Sequence, residues 1–171
     1  FDICPVNFVL NALALKLGKP FDMDGEFAKS GNLIPNLLKQ LNAINFYSKP
    51  APKSLGREWA ELYINPLLKK TYKTEDILHT FCEHIAQQTG RVLNDSNTLV
   101  TGGGVFNNYL MSRIKHYSES EIIIPDKEII NFKEALLFGF LGVLRDRNEV
   151  NCLQQVTGAT RDNCGGVIHN I

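Results

Sequence analysis

The sequence predicts an α/β domain with a partly parallel sheet. Two short apolar runs rich in β-branched residues, 98–101 and 121–124, read as strands. A stretch with helical spacing, 107–117, lies between them. Strands separated by helices are the pattern of an α/β sheet, in which parallel neighbours are joined by a crossover helix. The third observation is the glycine run Gly102, Gly103 and Gly104, which links the first strand to that helix. A strand that ends in glycines and opens a helix lets backbone approach a ligand where a Cβ would block it.

From the start of the chain, residues 5–17 have an apolar face and read as a helix, with Pro5 in the first turn and Gly18-Lys19-Pro20 as the stop. Residues 21–32 read as loop and short turns. Their acid pair, Asp22 and Asp24, loosely resembles a calcium loop but lacks the other ligand positions. Residues 35–41 form a short helix, 45–58 a loop with Pro, Ser and Gly, and 59–70 a further helix. Residues 74–88 are a well-signalled helix: Thr74 can cap it, Glu75 and Asp76 occupy the first turn, and Ile77, Phe81, His84 and Ile85 share a face. The strand at 98–101 reads as buried, and Pro125 ends the strand at 121–124. Residues 131–147 are the strongest helix, and Val156 and Val167-Ile168 offer short terminal strands.

Composition narrows the function. With 171 residues the chain fits one ordinary domain, and 18 basic side chains balance 18 acidic ones. No basic block marks a nucleic-acid footprint. The longest apolar stretch, 135–144, contains Gly139 and Gly142 and falls short of the ~18 residues of a membrane span. Cys4, Cys82, Cys152 and Cys164 are scattered without C-x-x-C spacing, so zinc is not expected and a reduced, cytoplasmic setting is. The chain opens on Phe1-Asp2 without methionine, which reads as a C-terminal lobe whose N-terminal half is absent.

Several chemistries lack their residues. His79 and His84 are five apart and do not form a zinc pair, and no G-x-S-x-G elbow is present. The glycine run lacks the third glycine of a dinucleotide fingerprint, because Asn107 stands there, and no G-x-x-x-x-G-K-[ST] occurs. The loop Lys53-Ser54-Leu55-Gly56-Arg57-Glu58 offers two cations that suit a substrate carboxylate, or else an internally salt-bridged loop. Asn131 and Glu134 fit a capping box, with Glu134 alternatively a carboxylate aimed into a cleft from a helix start. Asp2 alone reads as a helix cap or a solvated acid.

In order along the chain, FDICPVN, GKPFDMDGEFAKSG, PKSLGRE, VTGGGVFNNYLM, KEALLFGFLG and VTGA resemble the C-terminal half of the anhydro-N-acetylmuramic acid kinases. The resemblance covers essentially the whole chain, and PKSLGRE and TGGGVFNN are its most specific parts. It implies a lobe of the actin-like, ribonuclease H-like ATPase fold, a mixed sheet flanked by helices, over residues 1–171. ATP and Mg²⁺ are the implied cofactors, with no metal ligand in this chain. The implied reaction opens 1,6-anhydro-N-acetylmuramic acid with water and phosphorylates O6. Partners are then the amino sugar and ATP, with no nucleic acid or membrane, and a homodimer is allowed.

The resemblance also implies roles. Asp2 matches the aspartate of an FDTGPGN-type motif, the expected general base, while Ile3, Cys4 and Val6 depart from that motif. Gly102, Gly103, Gly104 and Asn107 match a CGGGxxN nucleotide loop, with Thr101 in place of the cysteine. Glu134 matches a glutamate near the sugar, and Lys53 and Arg57 are candidates for the lactyl carboxylate. Without the first lobe's phosphate loop the 171-residue chain alone is expected to be inactive. The rival readings are a non-catalytic nucleotide-sensing lobe and another sugar kinase of the same superfamily.

Overall fold

The structure is a computed structural model that describes residues 1–93 and 97–169. The chain forms two units, Phe1–Pro125 and Asp126–Ile171.

In the first unit, α1 (Asn7–Lys16) buries Val9, Leu10, Leu13 and Ala14 and stops at Leu17, followed by Gly18 in the left-handed region. The expected loop at 21–32 holds a 3₁₀ turn and a short helix, α2 (Glu26–Ser30). Asp22 makes that helix possible. Its carboxylate accepts hydrogen bonds from the amides of Phe27 (2.8 Å) and Ala28 (3.0 Å). Asp24 accepts from Asn108 Nδ2 at 2.7 Å, so both acids serve the fold rather than a cation loop. Next come α3 (Pro35–Asn42), a 3₁₀ turn at Asn45–Ser48, and α4 (Arg57–Tyr63). The helix expected over 59–70 therefore starts two residues early and ends at Tyr63. A 3₁₀ turn, Asn65–Leu67, follows. Pro66 is the cause, since it has no N–H to continue the α-helical ladder.

Helix α5 (Thr74–Gly90) is the centre of this unit and packs against α1, α2, α3 and α6 (Asn108–Tyr117). Thr74 is its first helical residue rather than its cap; Lys73 holds the capping position without a side-chain bond. The expected face of Ile77, Phe81, His84 and Ile85 is buried. Burial on nearly every side forces the polar residues of α5 to find partners. Thr80 Oγ1 accepts from the Ile34 amide at 2.9 Å, and Gln88 Nε2 donates to Asn42 Oδ1 at 2.7 Å. Glu83 accepts from Arg113 Nε, from Arg113 Nη2 at 3.1 Å and from Tyr117 Oη at 3.0 Å. Gly31 sits against the Glu75 carbonyl, where a Cβ would collide with backbone.

His84 Nδ1 lies 2.7 Å from Asn42 Oδ1, so it carries the proton, and Nε2 is buried without a partner among the described residues. Burial, reinforced by Arg91, holds the imidazole down from its usual 6.5 to about 3. The folded state thus keeps His84 neutral, while the unfolded chain protonates it below its ordinary value. This contribution is fully present above pH 6.5 and is lost as pH falls toward 3. Linkage gives a loss of about 2 kcal/mol between pH 7 and pH 5. Urea denaturation at the two pH values checks it, and His84→Asn is expected to flatten the difference.

Strands β1 (Thr98–Leu99) and β2 (Ile122–Ile123) pair in parallel, Thr98 with Ile122 and Leu99 with Ile123, across α6. The parallel pairing matches expectation; the length and burial do not. Each strand has two residues, Leu99 is 60% exposed, and the pair is the whole sheet among the described residues. With a partner along one edge only, β1 is not enclosed as a central strand is. The fold is α/β with a small parallel sheet flanked by helices.

The second unit contains α7 (Lys127–Asp146), α8 (Gln154–Thr157) and an antiparallel bridge between Cys152 and Asn163. Helix α7 begins four residues before the expected start. Asp126 stands at its N-cap and Glu128 in its first turn, where an acid suits the helix dipole. Val156 is helical, and Val167-Ile168 forms no strand. No helix among the described residues is long and apolar enough to cross a membrane.

Candidate functional site

The site in the first unit is built on the segment that leads into α1. Phe1, Asp2, Ile3, Cys4, Leu55 and Thr89 line a cleft of about 360 Å³, at the lower end of the range for small-molecule sites. Asp2 is exposed at its edge. Its amide donates to the Lys53 carbonyl at 2.9 Å, and its Oδ2 accepts from the Leu55 amide at 2.9 Å. One carboxylate oxygen is thereby anchored, while Oδ1 takes no hydrogen bond from a described residue. The expectation that Asp2 caps a helix fails, since α1 begins at Asn7 with Val6 in the capping position.

Two candidates from one loop part company. Lys53 Nζ donates to the carbonyls of Phe46 (3.1 Å) and Tyr47 (3.4 Å) and stands over the Phe46 ring. Arg57, the first residue of α4, is exposed; its Nε donates to Glu61 Oε1 at 2.8 Å and its guanidinium lies over the Phe8 ring. The hydrogen-bonded Glu61 carboxylate raises the Arg57 guanidinium above its ordinary value.

The glycine loop approaches the same leader segment. Gly102 has φ +88°, open to glycine and strained for other residues, and a Cβ there would meet nothing within 4 Å. Residues Gly103–Phe106 form a 3₁₀ turn. A Cβ on Gly103 would stand 3.7 Å from Asn7 Nδ2, and one on Gly104 3.6 Å from Asn7 Oδ1. Asn107 caps α6, its Oδ1 accepting from the Leu110 amide at 2.9 Å. That oxygen also lies against Gly25, whose φ of +75° and missing Cβ let the two segments meet.

Glu134 is not at a helix start. It is the eighth residue of α7 and exposed, and neither it nor Asn131 forms a capping box, because the helix already runs from Lys127. Sequence reasoning missed Asn7, which faces the glycine loop, and Tyr47, whose Oη lies 3.8 Å from Cys4 Sγ. No spacing signals either, since each contact joins segments 40 or more residues apart. Burial pushes the Cys4 thiol up to about 12, only partly offset by the Tyr47 hydrogen bond, and burial also raises Tyr47. Cys4 is therefore a neutral lining group rather than a nucleophile. Among the described residues no three His, Cys, Asp or Glu gather as metal ligands.

A family model described as anhydro-N-acetylmuramic acid kinase matches residues 1–170. The chain is 34% identical to the anhydro-N-acetylmuramic acid kinase of Actinobacillus pleuropneumoniae serotype 3, over 99% of this chain and 49% of that protein. It is 32% identical to the same-named protein of Aliivibrio fischeri, again over 99% and 49%. The corresponding protein of Sulfurimonas denitrificans is 32% identical over 89% of this chain and 46% of its own. The chain spans about half the length of the curated relatives it matches.

Proposed function

The chain belongs to the anhydro-N-acetylmuramic acid kinase family, and from that premise we propose that it is the C-terminal lobe of a two-lobe, actin-like sugar kinase. The proposed reaction is hydrolytic opening of 1,6-anhydro-N-acetylmuramic acid with phosphorylation of O6, in the cytoplasm. The observation that carries it is the placement of Asp2 at a cleft, held by two backbone hydrogen bonds with Oδ1 available.

In this reading Asp2 takes a proton from water as that water attacks the anomeric carbon. A C1–O bond to water forms, the C1–O6 bond breaks, and O6 takes a phosphoryl group. The carboxylate also stabilises the oxocarbenium-like carbon during that exchange. ATP, when bound, would supply the phosphoryl group, the bond between its β- and γ-phosphates breaking and ADP leaving. The glycine loop fits the adenosine side of a nucleotide, because Gly102 leaves bare backbone with open space around it and the first N–H groups of the following turn lack partners within it. Among the described residues no three His, Cys, Asp or Glu gather to hold Mg²⁺, an ion that is commonly held by one or two carboxylates together with substrate phosphates. Arg57, exposed at the start of α4, is the proposed partner of the lactyl carboxylate, and Glu134 a proposed sugar contact.

Phosphoryl transfer is mostly positioning and charge stabilisation, so one lobe is not expected to suffice. Turnover measured with ATP·Mg²⁺ and the anhydro sugar is expected from the gene's full-length product and not from the isolated 171-residue chain. Normal turnover by that chain would remove the two-lobe requirement from the proposal.

A further inference from the structure

The segment before α1 and the stretch 45–55, far apart in sequence, meet around Asp2, and Lys53 is the joint between them. Its ammonium donates to the carbonyls of Phe46 and Tyr47 in the turn at Asn45–Ser48. It also stands 4.9 Å from the Phe46 ring centroid and 5.8 Å from that of Phe1, close enough for cation–π attraction. Its backbone carbonyl accepts from the Asp2 amide, and two residues on the Leu55 amide donates to Asp2 Oδ2. The turn that anchors Lys53 reaches the leader segment a second time, through Tyr47 Oη and Cys4 Sγ.

This arrangement does not suit the carboxylate clamp read from the sequence. Lys53 does not line the cleft, whereas Asp2 and Leu55 do. An ammonium has three donors; two are used on the carbonyls of Phe46 and Tyr47. The charge is spent on fixing the backbone that holds Asp2.

We infer that Lys53 is a positioning residue for Asp2, its ammonium pinning the 53–55 loop whose backbone fixes the Asp2 carboxylate. The inference rests on the reading of Asp2 as general base. Loss of the pin lets the carboxylate drift, and misplacement by about 1 Å costs on the order of 10²-fold in rate.

The test uses the gene's full-length product with Lys53→Met, which keeps the apolar stem and removes the donors, and Lys53→Arg, which keeps the charge. The expected results for Lys53→Met are a fall in kcat of about 10–10²-fold with KM little changed, and faster hydrogen exchange at the Leu55 amide. Lys53→Arg is expected to recover most of the rate. In an Asp2→Asn background Lys53→Met is expected to add little, because coupled residues are not additive. A raised KM with kcat preserved would make Lys53 a substrate contact and overturn the inference. So would unchanged Leu55 exchange, or a full additive loss in the Asp2→Asn background. If Asp2→Asn alone keeps full activity, the general-base reading falls instead, and Leu55 exchange still decides whether Lys53 pins Asp2.

Discussion

Asp2→Asn in the gene's full-length product is expected to lower kcat by about 10²–10⁴-fold, the scale of general acid–base catalysis, while nucleotide binding is retained. The geometry makes the substitution a clean one. Asp2 Oδ2 accepts from the Leu55 amide at 2.9 Å, and an asparagine oxygen keeps that bond. The Asp2 amide bond to Lys53 does not involve the side chain. What asparagine removes is the other oxygen, which an amide nitrogen unable to take a proton from water replaces. Steady-state kinetics with a thermal melt alongside separates chemistry from folding. A variant that melts like the parent and turns over at the parent's rate would remove Asp2 from the chemistry.

Arg113→Ala is expected to be the most damaging single change to the fold. Glu83 is buried on α5, and its carboxylate is held by both Nε and Nη2 of Arg113 and by Tyr117 Oη. Removing one partner of a buried pair leaves an uncompensated charge and costs about 3–5 kcal/mol. With Arg113 itself 29% exposed, the lower end of that range applies. The consequence reaches the site, because Arg113 lies on α6, the helix that Asn107 caps directly after the glycine loop. The exposed pair Arg147–Glu149 is the comparison, where Arg147→Ala is expected to cost about 0–1 kcal/mol. Equal losses in urea denaturation would show that burial of Glu83 does not govern this contact.

Much of this organisation was legible where the signal is local. The helical spacing after Thr74 and the stop at Gly18 are short-range patterns, and helix and turn form where they mark them; Asn107, read as the first residue of its helix, is instead the cap before it. The parallel pair followed from two apolar runs around a helix. Local rules also explain some misses. Pro66 was in plain view and ends the helix before it, and Pro125 followed by Asp126 starts α7 earlier than the Asn131–Glu134 box indicated. The site was legible only in its parts. Asp2, Lys53 and the glycine run each stood out by type or motif. That Asp2 meets Leu55, and that Asn7 faces Gly103 and Gly104, depend on contacts between distant segments. No periodicity or spacing encodes those contacts.

The most direct test of the central claim is the structure of the product. The gene's full-length product would be incubated with ATP·Mg²⁺ and 1,6-anhydro-N-acetylmuramic acid, and the sugar analysed by NMR and mass spectrometry. A sugar with its anhydro bridge opened, a hydroxyl at the anomeric carbon and phosphate on O6 is the predicted result. No phosphorylated sugar from a folded, nucleotide-binding protein, or a phosphorylated sugar with the bridge intact, would contradict it.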